Sequence, residues 1–332
     1  MIRKLFAFGL AAVLVLIPVQ AFGKTVSITN VSYDPTREMF EQYNKIFEEH
    51  WKKKTGEDVE VTQSHGGSGK QALEVANGLD ADVVTLALEY DIESIENAGL
   101  IETGWQDKFD NESSPYTSTI VFLVKKGNPK GIKDWDDLIK DGVGVVTPNP
   151  KTSGGARWNY MAAWAYADKK YDGDEPRMKD FIRKLYQNVV VLDSGARGAT
   201  TSFVENGQGD VLVAWENEAY LSMRDYPDEY EIVTPSVSIL AQPSVAVVDE
   251  VVDYRGTRDV ATEYLKYLYS DEAQEIEAEN YFRPTNEKIL KEHSDVFDLS
   301  VDLVNISDYG GWDEVQKKHF ADGGIFDEIY ER

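Results

Sequence analysis

The chain has 332 residues, a hydrophobic fraction of 42% and no cysteine, which suits two domains with apolar cores and excludes disulfide staples, thiolate metal sites and cysteine catalysis. Its formal net charge is −25, or −27 without Arg3 and Lys4, so nucleic acid and anionic lipid surfaces are excluded as partners. The first predicted element is a leader: Arg3 and Lys4, then an apolar run from Leu5 to Val19 broken by Pro18, then the small-x-small signal Ala21-Phe22-Gly23. This pattern predicts a secretory signal peptide over residues 1–23, cut before Lys24, and a periplasmic mature chain of 309 residues. No later segment approaches the roughly 20 apolar residues of a membrane-spanning helix.

Beyond the leader, short β-rich runs alternate with longer amphipathic ones. In chain order the pattern predicts a strand at Val26–Asn30, a helix at Pro35–Lys54, a strand at Val59–Gln63, a helix at Lys70–Asn77, a strand at Val83–Leu86 and a helix at Ile92–Ala98. Strands at Ile120–Lys125 and Val143–Thr147 follow, then helices at Ala156–Lys169 and Arg177–Asn188, a strand at Val189–Leu192 and a helix at Thr200–Asn206. The chain closes with strands at Val211–Ala214, Ile232–Thr234 and Val245–Val248 and helices at Arg258–Ser270 and Asp271–Asn280. Asp34-Pro35 sets an N-cap beside a helix-opening proline, and Phe40, Tyr43, Ile46, Phe47 and Trp51 then recur on one face. Such alternation predicts an α/β fold with largely parallel sheets, in which ligands sit beyond the carboxyl ends of strands. No linker is visible in composition; Asn111–Tyr116 and Pro235 to Pro243 are candidate crossovers, and two crossings make the first domain discontinuous.

Three small-residue segments fall at strand-to-helix junctions: Ser64-His65-Gly66-Gly67-Ser68-Gly69-Lys70, Thr152-Ser153-Gly154-Gly155-Ala156-Arg157 and Asp193-Ser194-Gly195-Ala196-Arg197-Gly198. A glycine turn opening a helix aims free N–H groups and the positive end of the helix dipole at one point, a ready anion site. Ser64 to Gln71 misses the phosphate-loop spacing at both ends, and Lys70 occupies the last glycine position of a nucleophile elbow. Pro148-Asn149-Pro150 holds the chain extended into the second turn, where Ser153 adds a hydroxyl donor. Trp215 ends a strand and precedes a helix, and its indole N–H is a donor with no acceptor capacity.

Lys70, Arg157 and Arg197 each lie just after a glycine loop, placed either to neutralise an anion or to pair with the abundant carboxylates. His50, His65, His293 and His319 lack metal spacing and no acidic cluster has the form of a calcium loop, so neither metal nor cofactor is expected. An enzyme acting on sulfated or phosphorylated substrates would require a nucleophile beside a base, and the sequence displays none.

The segments Val31 to Glu38, Ser64 to Gln71, Asp82 to Ala87, Pro148 to Tyr160, Leu192 to Thr200 and Gly209 to Ala219 resemble the periplasmic sulfate-binding proteins of bacterial ABC importers. The resemblance extends to Gly310-Gly311-Trp312 and to His319 through Gly324. It implies a type II periplasmic binding protein, two α/β lobes, each a mostly parallel sheet flanked by helices, closing on sulfate in the cleft between them. It also implies a monomer that docks on an inner-membrane ABC permease. The lobes are expected at residues 24–112 with 238–285 and at 113–237, with a C-terminal helical segment over 286–332 packing on them. The ligand donors carried over are the N–H groups of Asp34, Ser68, Gly154, Gly155 and Ala196, the hydroxyl of Ser153 and the indole of Trp215. In this family no Lys or Arg touches the anion, which assigns Lys70, Arg157 and Arg197 to carboxylates. The related thiosulfate receptors carry an aromatic residue without an N–H donor at the position of Trp215, which sets this chain with sulfate while leaving thiosulfate as a second ligand. The Asp34 side chain is the open element, since an acceptor facing the ligand would favour phosphate.

Overall fold

The computed structural model describes residues 25–330, and the leader expected over residues 1–23 lies outside the described residues. Strand Thr25–Tyr33, rich in β-branched residues and buried over its last half, pairs in parallel with Asp58–Gly66 and Val83–Leu86. Ser244–Val247 completes this four-stranded sheet, antiparallel to Val83–Leu86. A second sheet runs in the order Val189–Asp193, Val145–Pro148, Val211–Trp215, Ile120–Lys125, Tyr230–Val233. Its first three strands are parallel, and Ile120–Lys125 is antiparallel to both of its neighbours. Each sheet with its helices forms one lobe of a two-lobed α/β molecule.

Both sheets are mixed, where the alternation of the sequence predicts largely parallel ones. Ile120–Lys125 and Ser244–Val247 are the first long strands after the chain passes from one lobe to the other. Ile120 sits opposite Trp215, and Ser244 opposite Leu86, so each entering strand starts at the carboxyl end of its neighbour. A chain arriving from the facing lobe has to enter there, and so runs against the parallel strands. The two passages lie side by side, Ser118 and Ala241 exchanging both backbone hydrogen bonds at 2.9 Å. Tyr116–Thr117 also pairs with Arg283–Pro284, and Val237–Ile239 with Asp302–Val304. Ladders of two or three residues are too short to leave a period-two pattern in the sequence.

Helix Arg37–Thr55 buries Phe40, Tyr43, Phe47 and Trp51 as its spacing predicts, and ends where Gly56 takes a left-handed conformation at φ 81° and donates to the Lys52 carbonyl. Helix Gly154–Tyr171 is buried on nearly every side because small residues and aromatics alternate around it. Residues 302–330 are fastened to the second lobe. Trp312 meets Trp158 edge to face at 4.6 Å, His319 shares a hydrogen bond with Tyr160 at 3.0 Å, and Lys151 pairs with Asp327 at 2.8 Å.

This C-terminal segment reaches the first lobe at helix Glu89–Asn97, where Asp313 faces Glu93. Burial, then Asp313, Glu89 and Glu96, push the Glu93 carboxyl from 4.5 up to about 7. Its proton is therefore held more tightly in the folded chain than in the unfolded one, and folding stability falls as pH rises from about 4.5 to about 7. Glu93→Gln removes this loss. Thermal melts across pH 5 to 8 are expected to show a smaller decline for the variant than for the parent, and parallel declines would remove Glu93 as the cause.

Candidate anion-binding site

Every parallel strand of both sheets ends in the cleft and passes into a helix start. Tyr33 leads into the 3-10 turn Asp34–Thr36, Gly66 into helix Ser68–Ala76, Pro148 into helix Gly154–Tyr171, Asp193 into helix Ala196–Val204 and Trp215 into helix Glu216–Asp225. Asp34, Ser68, Gly154 and Ala196 are each the first residue of their element and Gly155 the second. N–H groups at these positions have no partner inside their own helix, and they carry the positive end of its dipole.

Tertiary packing brings these starts against one another. A Cβ added at Gly154 would lie 2.9 Å from the Ser68 Cβ and 3.1 Å from the Ala87 Cβ. One at Gly155 would lie 3.1 Å from the Trp215 Nε1 and 3.6 Å from the Ser153 Oγ, and one at Gly195 2.6 Å from the Asp34 Oδ2. The Trp215 indole is buried, lies 5.5 Å from the Tyr33 ring, and donates to the Gly155 carbonyl at 3.2 Å. Ser153 caps its helix by accepting from the Ala156 N–H at 3.3 Å, which leaves its own proton for donation. All seven residues singled out from the sequence thus stand on turns that meet in one place.

The charged residues have other partners. Lys70 lies near Glu74 at 3.6 Å, on the exposed face of its helix. Arg157 meets Asp91 at 3.3 Å and donates from Nε to the Pro150 carbonyl at 3.0 Å. Arg197 grips both oxygens of Glu38 at 2.9 Å and reaches Glu218 at 3.1 Å. The Asp34 Oδ1 accepts from Arg37 at 3.1 Å while its Oδ2 abuts Gly195, so this carboxylate is bound to a cation on its own turn.

Sequence reasoning missed the residues that hold the turns in place. Buried Asp91 accepts from the Ser68 hydroxyl at 2.5 Å, and that hydroxyl accepts from the Ala87 N–H at 3.0 Å, so Asp91 fixes the Ser68 turn. Burial raises the Asp91 carboxyl, an effect that Arg157 and Ser68 only partly offset. Burial pushes Glu38 up as well, but Arg197 more than compensates and its carboxyl ends below the usual value, whereas fully buried Glu218 ends above it. The Thr152 hydroxyl donates to the Ser194 carbonyl at 2.8 Å, tying two of the glycine turns together. His65 hydrogen-bonds the Tyr33 carbonyl at 3.2 Å, with burial lowering its pKa and favouring the neutral ring. In a chain with 59 acidic residues, no spacing distinguishes Asp91, Glu38 or Glu218 from the rest.

Helix-start N–H groups from two α/β lobes, turned toward one cleft with a hydroxyl and an indole, define a solute-binding protein for a small oxyanion. The chain belongs to the family described as bacterial extracellular solute-binding protein, whose profile matches residues 28–283. It is 56% identical over 326 residues to the sulfate-binding protein of Escherichia coli K12, covering 98% of this chain and 99% of that protein. It is 50% identical over 306 residues to the thiosulfate-binding protein of Pseudomonas aeruginosa, covering 91% and 92%. Among solved structures it resembles the sulfate-binding protein SubI of Mycobacterium tuberculosis, with a TM-score of 0.79, 31% identity and coverage of 89% and 99%. It is a binding protein and not an enzyme, as the sequence reading expected.

Gly67 tests the packing of the turns. Its backbone is ordinary, φ −63° and ψ 130°, but a Cβ there would stand 2.8 Å from the Thr152 carbonyl oxygen of the facing lobe. Gly67→Ala is expected to weaken oxyanion binding roughly ten-fold or more, equivalent to about 1.4 kcal/mol, with the melting temperature of the ligand-free protein unchanged. Equal binding by the variant in a calorimetric titration would show that the two turns do not have to come this close.

Proposed function

We propose that this protein is a periplasmic receptor that binds sulfate and delivers it to the membrane permease of an ATP-driven importer. The observation that carries the reading is the chemistry of the donor set: the N–H groups of Asp34, Ser68, Gly154, Gly155 and Ala196 at helix starts, the Ser153 hydroxyl, and the Trp215 indole, whose N–H rests on the Gly155 carbonyl here and would turn to the anion on binding. Sulfate at neutral pH has two charges and no proton, so a pocket of donors satisfies it. Hydrogen phosphate carries a proton that would meet another donor, a mismatch costing on the order of 1–3 kcal/mol in a buried site. The pairing of Asp34 with Arg37 supports this choice, because it occupies the acidic side chain that could otherwise accept that proton. The names of the E. coli and M. tuberculosis relatives agree with it.

Thiosulfate is the second reading, supported by the P. aeruginosa relative. It is also a proton-free dianion, and the same donors would hold its oxygens. In the proposed cycle a monomer closes by a hinge at the two adjoining passages, with lobes at 24–112 plus 238–285 and 113–237, and residues 286–332 packed on them. The closed form then docks on the permease.

The reading is tested by following tryptophan fluorescence of the mature protein, freed of bound anion, during titration with sulfate, thiosulfate, phosphate and molybdate at pH 7. Saturation by sulfate at micromolar concentration or below, with phosphate silent, is the expected result; preference for phosphate would overturn it. Trp215→Phe keeps the ring and removes one donor to a charged ligand, about 1.5–3 kcal/mol, and is expected to weaken sulfate binding roughly ten-fold or more in calorimetry. Lys70→Gln is expected to change affinity little, and a collapse would reveal a direct ion pair with the anion.

A further inference from the structure

We infer that Asn217 is a positioning residue that couples closure of the lobes to the ligand site, by donating across the cleft to the backbone beside Asp34. Asn217 is the second residue of helix Glu216–Asp225, two positions after Trp215 and on the second lobe. Its side chain has no solvent exposure. The amide Nδ2 donates to the Pro35 carbonyl at 2.9 Å, and Pro35 belongs to the first lobe, in the turn Asp34–Thr36. One side chain therefore joins the turn that carries the Asp34 N–H to the helix start that carries Trp215.

The rest of the amide points to a bond made on closing. Its Oδ1 is buried and accepts no hydrogen bond. A buried acceptor left unsatisfied opposes the closed form, whereas in a parted cleft water reaches both ends of the amide. An asparagine serving only to hold its own lobe together would have both ends satisfied there. Here its one bond runs to the other lobe, so the closed and open forms differ in what Asn217 contacts, as a group that reports closure requires. Arg197 spans the same cleft through Glu38, but as a charge pair on half-exposed side chains, whereas the Asn217 bond is neutral, fully buried and directed at the donor turn itself.

This inference rests on the reading of the protein as a sulfate receptor that closes on its ligand. Sulfate titrations and thermal melts with and without sulfate test it, on the parent, Asn217→Ala and Asn217→Asp. Asn217→Ala is expected to weaken sulfate binding roughly 3- to 10-fold, the scale of one neutral hydrogen bond, while the melting temperature without sulfate stays at the parent value. Asn217→Asp puts a carboxylate against the Pro35 carbonyl and is expected to bind at least roughly ten-fold more weakly at pH 8. Its deficit relative to the parent should shrink as pH falls toward 5, because the protonated acid can donate where the amide did. Asn217→Ala affinity within about two-fold of the parent, or a drop in the ligand-free melting temperature matching that of the sulfate-loaded form, would overturn the inference. A parent protein that does not respond to sulfate would overturn the receptor reading and this inference with it.

Discussion

A helix start has N–H groups that its own turns cannot satisfy, and in this protein several such starts are packed against one another. Donors crowded together repel unless something that only accepts lies between them. Much else follows from that constraint. The turns have to be glycine and serine because they approach to van der Waals distance, as the 2.8 Å between a Cβ at Gly67 and the Thr152 oxygen shows. The strands have to end together, which the two sheets achieve by pointing the carboxyl ends of their parallel members into one cleft.

The same constraint explains how a chain of net charge −25 can hold an anion. Surface charges more than about 10 Å away are screened by salt, while dipoles at contact distance are not. The cations nearest the site are spent on the protein itself. Arg157 joins Asp91 and Arg197 joins Glu38 across the cleft between the lobes, and Arg197 also reaches Glu218 within its own lobe. Guanidinium groups placed this way link the two lobes.

The α/β class, most strands and helices, and the junctions that matter were legible in the sequence because their signals are local. Apolar period and Gly-Gly-Ser turns between a β-rich run and a helical one are decided within a few residues, whereas Asp34 does not cap the helix as its Asp-Pro signal predicts: Asp34–Thr36 is a 3-10 turn and the helix begins at Arg37. The mixed sheets were not legible, because strand direction depends on where a chain enters a sheet after crossing from another lobe. Short ladders such as Tyr116–Thr117 with Arg283–Pro284 were missed for a related reason: they are held by a partner more than 160 residues away, as in the bond from the Thr117 hydroxyl to the Arg283 carbonyl with its separation of 166.

The sequence by itself located the glycine turns that open the helices, but their first residues only to within a few positions: helices expected from Lys70, Ala156 and Thr200 begin at Ser68, Gly154 and Ala196. It also placed Ser153 and Trp215 at strand-to-helix junctions. Only the tertiary structure decided which of those groups meet, and which carboxylate each cation takes. Arg197 and Glu38 are 159 residues apart, and Asn217 and Pro35 are 182 apart. No periodicity or turn rule reaches over such distances, because those pairs exist only when two separately folded lobes are brought face to face.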